Sequence, residues 1–165
     1  MIILGIDPGT ATTGYGLIDV HGHKYDLLDY GCIRTPAHTP MPDRLCQIYD
    51  AMCKLLAQSK PDQMAIEQLF FNSNTTTAIS VGQARGVLVL AAAQQQIPIA
   101  EYTPLQVKQA IVGYGQAEKN QVKYMVGRFL HMKQPPRSDD AADALAIAIC
   151  HSHYYNSRKM LGKEE

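Results

Sequence analysis

Apolar positions change their period several times along this chain. Ile2, Ile3, Leu4 and Ile6 make a nearly unbroken apolar run, three of the four β-branched, which predicts a strand buried on both faces in the middle of a sheet. Asp7 ends that strand and Pro8-Gly9 turns the chain. Residues 13–20 alternate, as do residues 25–33 after the short turn His21-Gly22-His23. Links this short imply an antiparallel meander built on the first strand. Pro36 to Pro42 break the pattern. From about Asp43, Leu45, Ile48, Met52, Leu55 and Leu56 recur at helical spacing as far as Lys60-Pro61-Asp62, with Cys46 and Cys53 placed as core residues beside them.

Residues 63–71 read as a further strand running into the loop Asn72-Ser73-Asn74, and a strand reached through a crossover helix is parallel to its neighbour by default. Thr75 to Gln96 predicts a long helix, apolar almost all the way round between Val81 and Ala93. Such a helix must be covered on more than one side, by a core or by a second copy of the chain. Residues 97–100 form a short last strand. Helices over about 103–112 and 118–131 follow, separated by Gly113-Tyr114-Gly115. Ser138 is a ready N-cap for a final Ala-rich helix whose first turn carries Asp139 and Asp140. The reading is an α/β domain over residues 1–156, a five-stranded mixed sheet flanked by helices, with residues 157–165 as a disordered tail.

Composition narrows the function classes. With 165 residues and 46% hydrophobic content the chain suits one well-packed domain. Fifteen basic residues balance fifteen acidic ones, so a polyanion site has to be local. Between residues 85 and 137, Arg85, Lys108, Lys119, Lys123, Arg128, Lys133 and Arg137 face only Glu101 and Glu118. Cys32, Cys46, Cys53 and Cys150 have neither zinc-site spacing nor the look of a disulfide framework, and no secretory signal is recognisable; a reducing cytoplasm is the expected compartment. The longest apolar run, residues 86–93, is far short of the roughly 20 residues of a membrane span, so no membrane partner is expected. His151 and His153 are two apart on a predicted helix and point to different faces, which argues against a zinc pair.

The candidate chemistry lies in the carboxylates. Asp7 follows a buried strand without a break, and a carboxylate in that setting needs a cation or donor, although Asp before Pro-Gly is also an ordinary turn former. Glu67 ends the strand expected to pair with it. On the last helix Asp140 and Asp143 share a face at a spacing of three, Asp139 and Asp143 at a spacing of four, and spacing leaves the choice between Asp139 and Asp140 open. Clustered carboxylates repel unless a divalent cation neutralises them, and an all-oxygen donor set points to Mg²⁺ or Mn²⁺. Two such ions about 3.5–4 Å apart are the usual arrangement for hydrolysing a phosphodiester.

Several motifs then occur in one order over nearly the whole chain: Gly5-Ile6-Asp7-Pro8-Gly9, Ala65-Ile66-Glu67-Gln68-Leu69-Phe70, Gly82-Gln83-Ala84-Arg85-Gly86, Gln106-Val107-Lys108-Gln109, Ala117-Glu118-Lys119 and Asp140-Ala141-Ala142-Asp143-Ala144-Leu145-Ala146. On these the chain resembles the RuvC family of Holliday junction resolvases, bacterial endonucleases of the RNase H-like superfamily. The resemblance implies the RNase H-like fold, catalytic and metal-binding acids at Asp7, Glu67, Asp140 and Asp143, and two Mg²⁺ ions per site with Mn²⁺ able to substitute. Asp139, just before the matched run, is a departure from the family pattern. The resemblance also implies a homodimer, with its contact expected on the helix 75–96. Its substrate would be four-way junction DNA, cut by paired symmetric nicks that leave 5′-phosphate ends, in cooperation with the RuvA–RuvB branch-migration complex. Phe70 would stack on bases near the crossover with Phe71 beside it, Lys108 and Lys119 would face phosphates, and Arg85 is a further cation expected toward DNA.

Two other classes fit parts of the sequence. Gly-Ile-Asp-x-Gly-Thr also opens the phosphate loop of actin-like ATPases and sugar kinases, which enclose their nucleotide between two lobes where this chain has room for one. A non-catalytic junction-binding module would need none of the four acids beside phosphate.

Overall fold

The computed structural model describes residues 1–69 and 75–160; for residues 75, 76, 159 and 160 only the backbone is described. The elements run β1 (Ile2–Asp7), β2 (Thr12–His21), β3 (Lys24–Arg34), α1 (Met41–Ser59), β4 (Gln63–Glu67), α2 (Thr75–Gln94), β5 (Ile99–Tyr102), α3 (Pro104–Val112), α4 (Lys119–Phe129) and α5 (Asp139–Met160). The five strands form one sheet in the order β3-β2-β1-β4-β5, antiparallel across β1–β2 and β2–β3 and parallel across β1–β4 and β4–β5. The mixed sheet with β1 at its centre is as the apolar pattern predicts.

Side chains alternate across a strand, and that alternation splits the interior in two. Leu4 and Ile6 of β1, with Met64 and Ile66 of β4, pack on one face against Ile48, Met52 and Leu56 of α1 and Ala84 and Leu88 of α2. Ile3 of β1 and Ala65 of β4 face the other way, toward α3, α4 and the central run of α5. Gly5 lies on that second face, and its lack of a side chain sets how closely α5 approaches. A methyl there would stand 2.0 Å from the carbonyl oxygen of Ala144, and one on Gly14 of β2 would stand 2.0 Å from the carbonyl oxygen of Asp140. Backbone rests almost on backbone at both positions, which is why the start of α5 lies over β1 and β2.

Several boundaries differ from the expected ones for local reasons. Helix α1 starts at Met41 because Pro42 sits in the first turn, where its missing N–H has no helical partner to lose. It ends at Lys60, whose N–H reaches the carbonyl of Leu56 with φ at 44°. Strand β4 stops at Glu67, where its neighbours β1 and β5 also stop; of the rest of the expected strand, residues 68–69 are not in a strand and residues 70–71 lie outside the described residues. Strand β5 lies at Ile99–Tyr102 and not at 97–100, since its pairing with β4 is carried on to Glu67 opposite Tyr102. Helix α4 is two residues shorter at its C-terminal end than expected. Helix α5 continues past residue 157, the expected start of the tail, to Met160; residues 161–165 lie outside the described residues. No described helix is long and apolar enough to cross a membrane.

Candidate active site

The same alternation that buries Ile3 brings the first two acids together. Ile3, Gly5 and Asp7 share one face of β1, and Gln63, Ala65 and Glu67 share that face of β4. The parallel register sets Ile6 beside Ile66, so Asp7 and Glu67 follow side by side at the ends of two adjacent strands. Asp7 also pairs across the sheet with Gly14, the glycine on which the Asp140 carbonyl rests. Close packing of α5 thus carries Asp140 and Asp143 to the same sheet edge. Thr13, fully buried, secures the turn after β1: its hydroxyl donates to the Gly9 carbonyl at 2.7 Å.

The electrostatics are those of a crowded, half-buried cluster. Burial, followed by the Glu67, Asp143 and Asp140 carboxylates, pushes Asp7 up to about 8, against an opposing pull from Lys119. Burial and then Asp143 raise Glu67, again opposed by Lys119. Asp143 is raised chiefly by burial, with Lys119 pulling it down and Asp139 and Asp140 adding to the rise. Asp7, Glu67 and Asp143 are thus each raised by burial and by neighbouring carboxylates. Among the described residues no three His, Cys, Asp or Glu side chains converge closely enough to hold an ion as they stand. All four acids are only partly buried. In donor chemistry, all oxygen and all anionic, the set fits a hard divalent cation such as Mg²⁺ or Mn²⁺.

Of the expected cations, Lys119 is at this site. Glu118 N–H donates to Gln121 Oε1 at 2.9 Å, which fixes the start of α4 and leaves Lys119 in its first turn, with Nζ 3.9 Å from Asp143 Oδ2 and a largely exposed side chain. Lys108, on α3, forms no ion pair among the described residues and is not among the charges that shift the acids. Arg85 does not stand toward solvent as a DNA contact would. Its side chain is 19% exposed, its Nε donates to the Glu67 carbonyl oxygen at 3.3 Å, and its Nη2 lies 2.6 Å from Glu101 Oε1 on β5. That short Nη2 contact is an ion pair outside hydrogen-bonding geometry, since Nη2 has no hydrogen-bond partner. Phe70 and Phe71 lie outside the described residues.

The structure separates Asp139 from Asp140. Lys123 donates to Asp139 Oδ1 at 2.9 Å and to the Arg137 carbonyl at 3.0 Å, and this hydrogen bond holds the Asp139 carboxyl below its usual range. Asp139 is held toward α4 by Lys123, although its charge still reaches Asp143. Ser138, expected as an N-cap, has its hydroxyl 3.2 Å from Cys32 Sγ and 3.5 Å from Asp140 Oδ2. His151 belongs to a buried structural network at the far end of the sheet, its Nδ1 2.8 Å from the Tyr102 hydroxyl and its Nε2 against Gln63. Burial drives it down to about 4, so it is neutral near pH 7. Sequence reasoning missed the inward turn of Arg85, for which Glu101, sixteen residues on, gave no local signal. It also missed the link from Cys32 to Asp140, which exists only once β3 and α5 meet.

Known proteins similar to this chain point to one family. Residues 3–151 match the family model described as RuvC, crossover junction endodeoxyribonuclease RuvC. The crossover junction endodeoxyribonuclease RuvC of Desulfitobacterium hafniense is 57% identical over 162 residues, covering 98% of both chains. That of Syntrophomonas wolfei is 56% identical, covering 98% of this chain and 94% of its own. Among solved structures, Thermus thermophilus RuvC in complex with Holliday junction substrate superposes with a TM-score of 0.90 at 35% identity, covering 99% of this chain and 97% of that one.

Proposed function

The chain belongs to the RuvC family of crossover junction endodeoxyribonucleases, hydrolases of DNA phosphodiester bonds with the RNase H-like fold, and from that premise we propose how its own residues resolve a four-way junction. Membership decides against the ATPase lobe and the non-catalytic binder. Asp7, Glu67, Asp140 and Asp143 are the catalytic and metal-holding acids. The observation that carries this assignment is the mutual crowding of the carboxylates at one sheet edge, strongest at Asp7. These residues would hold divalent ions, two Mg²⁺ by our reading with Mn²⁺ as a substitute, which would supply an activated water and charge stabilisation at the leaving 3′-oxygen. Asp7 and Glu67 orient what binds from the strand ends, and Asp143 and Asp140 do so from the helix. Lys119 offers its ammonium to the phosphate in the same space. Lys108 is a phosphate contact further out on α3, and Phe70 with Phe71, three and four residues past Glu67, supplies aromatic surface for unstacked bases. Arg85 we now assign to positioning, as the tie between the Glu67 carbonyl and Glu101. The product is a nick with a 5′-phosphate that a ligase can seal.

Paired nicks need two sites, and α2 offers the surface for a homodimer. One side of it is buried against α1 and the sheet, while Ile79, Gln83, Gly86 and Leu90 form an exposed stripe at helical spacing, with Ile79 63% and Leu90 51% exposed. Sedimentation at micromolar concentration should show the dimer, and a monomer alone would count against paired cutting. We further propose a cytoplasmic location and cooperation with the RuvA–RuvB complex, supported by family membership. The decisive experiment is Asp7→Asn on a synthetic four-way junction: cleavage with Mg²⁺ should be lost while binding in EDTA persists, and a variant that still cuts refutes the site.

A further inference from the structure

Beside the acids, separated from them by one side chain, lies a cleft of about 550 Å³ that the reaction just described leaves unused. Tyr30, Cys32 and Arg34 of β3 form one wall, and Gln134, Arg137 and Ser138, from the segment leading into α5, form the other. Its volume falls within the roughly 300–1,000 Å³ typical of ligand sites, but its walls are polar. No Asp or Glu lines it, and two arginines do. Both are exposed, and neither forms an ion pair among the described residues.

The neighbouring charges explain why they stay uncompensated. Asp139 is the nearest acid in sequence to Arg137, and Lys123 has already taken its carboxylate. The same ammonium binds the Arg137 carbonyl and so fixes that residue's backbone while leaving its guanidinium free. At the back of the cleft, Cys32 Sγ meets Ser138 Oγ at 3.2 Å, and Ser138 Oγ stands 3.5 Å from Asp140 Oδ2. The cleft thus opens one residue away from a catalytic acid, with a net charge opposite to that of the acids. Two arginines lining one polar cleft suit the paired oxygens of a phosphodiester.

We propose that this cleft is a second phosphate subsite, in which Arg34 and Arg137 grip the DNA backbone next to the phosphodiester being cut. It rests on the nuclease reading and deepens it. A strand held there on one side and at Lys119 on the other is drawn across the four acids, so the scissile phosphate is placed by its neighbours. Substrate registration is then divided between positive groups that hold DNA and negative groups that hold metal.

The test is junction binding by the full-length protein in EDTA over a salt series. Each phosphate contact adds about 0.9 to the slope of log affinity against log salt on duplex DNA. Arg34→Gln with Arg137→Gln should lower that slope by about 1 to 2, the lower figure if both grip one phosphate, and weaken binding about tenfold or more at moderate salt. Arg34→Lys with Arg137→Lys should keep the slope and recover part of the affinity. Arg44→Gln, on α1 and outside the cleft, should leave the slope as it is. A second measurement uses the unaltered protein: alkylation of Cys32, followed by peptide mass, should slow when junction DNA is added and should not slow with the same concentration of inorganic phosphate. An unchanged slope in the double Gln variant, or Cys32 labelling indifferent to junction DNA, overturns the subsite. Equal protection by inorganic phosphate also overturns it, in favour of a general anion pocket. Failure of the unaltered protein to bind a junction at all would refute the junction-nuclease reading itself.

Discussion

Removing the Asp7 charge should stabilise the metal-free protein. In the folded state burial and three neighbouring carboxylates hold Asp7 at about 8, against 3.8 for the free side chain. Between those two values the native state binds more protons than the unfolded chain, so the stability associated with Asp7 is fully present below about pH 4 and is lost as pH rises toward 8. A gap of about 4 pH units is worth ~6 kcal/mol at ~1.36 kcal/mol per unit. Two effects reduce what Asp7→Asn recovers. The cluster titrates as a unit, so part of the rise belongs jointly to Glu67 and Asp143. The amide also remains a half-buried polar group, at a cost of about 1–3 kcal/mol where its hydrogen bonds go unmade. A net gain of ~2–3 kcal/mol at pH 8 is therefore expected, or roughly 5–10 °C in melting temperature for a domain of this size. The assay is thermal or urea unfolding of both proteins in EDTA from pH 4 to pH 8. The variant's advantage should grow with pH across that window and vanish at the acid end. Mg²⁺ should then raise the midpoint of the unaltered protein more than that of the variant. A variant no more stable than the parent at pH 8, or an advantage independent of pH, would refute the view of Asp7 as a charge held against its surroundings for a cation.

Three other outcomes follow from the same geometry. Cation binding must release the proton that Asp7 holds below about pH 8, so the Mg²⁺ concentration giving half-maximal cleavage should fall steadily between pH 6 and pH 8; a flat dependence would contradict the assignment. Gly5→Ala places a methyl 2.0 Å from the Ala144 carbonyl, a backbone atom that no rotamer change can move, and should cost about 1–3 kcal/mol in urea unfolding while displacing α5 enough to impair cleavage. Arg85→Met leaves Glu101 without its partner, but that carboxylate is 46% exposed, so the loss of stability should stay near 1 kcal/mol. Cleavage should fall at least tenfold with junction binding in EDTA little changed, and a loss of binding instead would return Arg85 to the DNA surface.

Much of this site was readable from period and order. Once residues 2–7 and 63–67 are strands in one parallel pair, the alternation that buries Ile3 and Ala65 also aims Asp7 and Glu67 at the same face. The central place of β1 followed from its unbroken apolar run. What stayed hidden depended on contacts between distant segments. The apolar start at Ile97 suggested a strand two residues too early, because the partner that decides the register, β4, is over thirty residues away. Arg85 read as an exposed cation because a helix of small and aliphatic residues gives no sign of which polar side chain turns inward. The cleft of Arg34 and Arg137 joins residues about a hundred positions apart, and neither belongs to a recognisable motif.

The opening motif illustrates how far a local signal reaches. Gly5-Ile6-Asp7-Pro8-Gly9 serves a phosphate loop or a metal site equally well, since each needs a strand-end acid and a tight turn. What distinguishes them is which element covers the strand. Here the glycines at 5 and 14 meet Asp140, Ala144 and Ala148, so the small residues at both ends of the chain describe one contact: a helix pressed onto a sheet until their backbones nearly touch. That closeness leaves no gap between helix and sheet. The approach forces the acids at the start of α5 against those of β1 and β4. Asp140 is taken into the cluster because its own carbonyl rests on Gly14. Asp139, one residue earlier and rotated by a third of a turn, is left to Lys123. Helix geometry thus favours Asp140 as the fourth acid we propose, although the Asp139 charge still reaches Asp143.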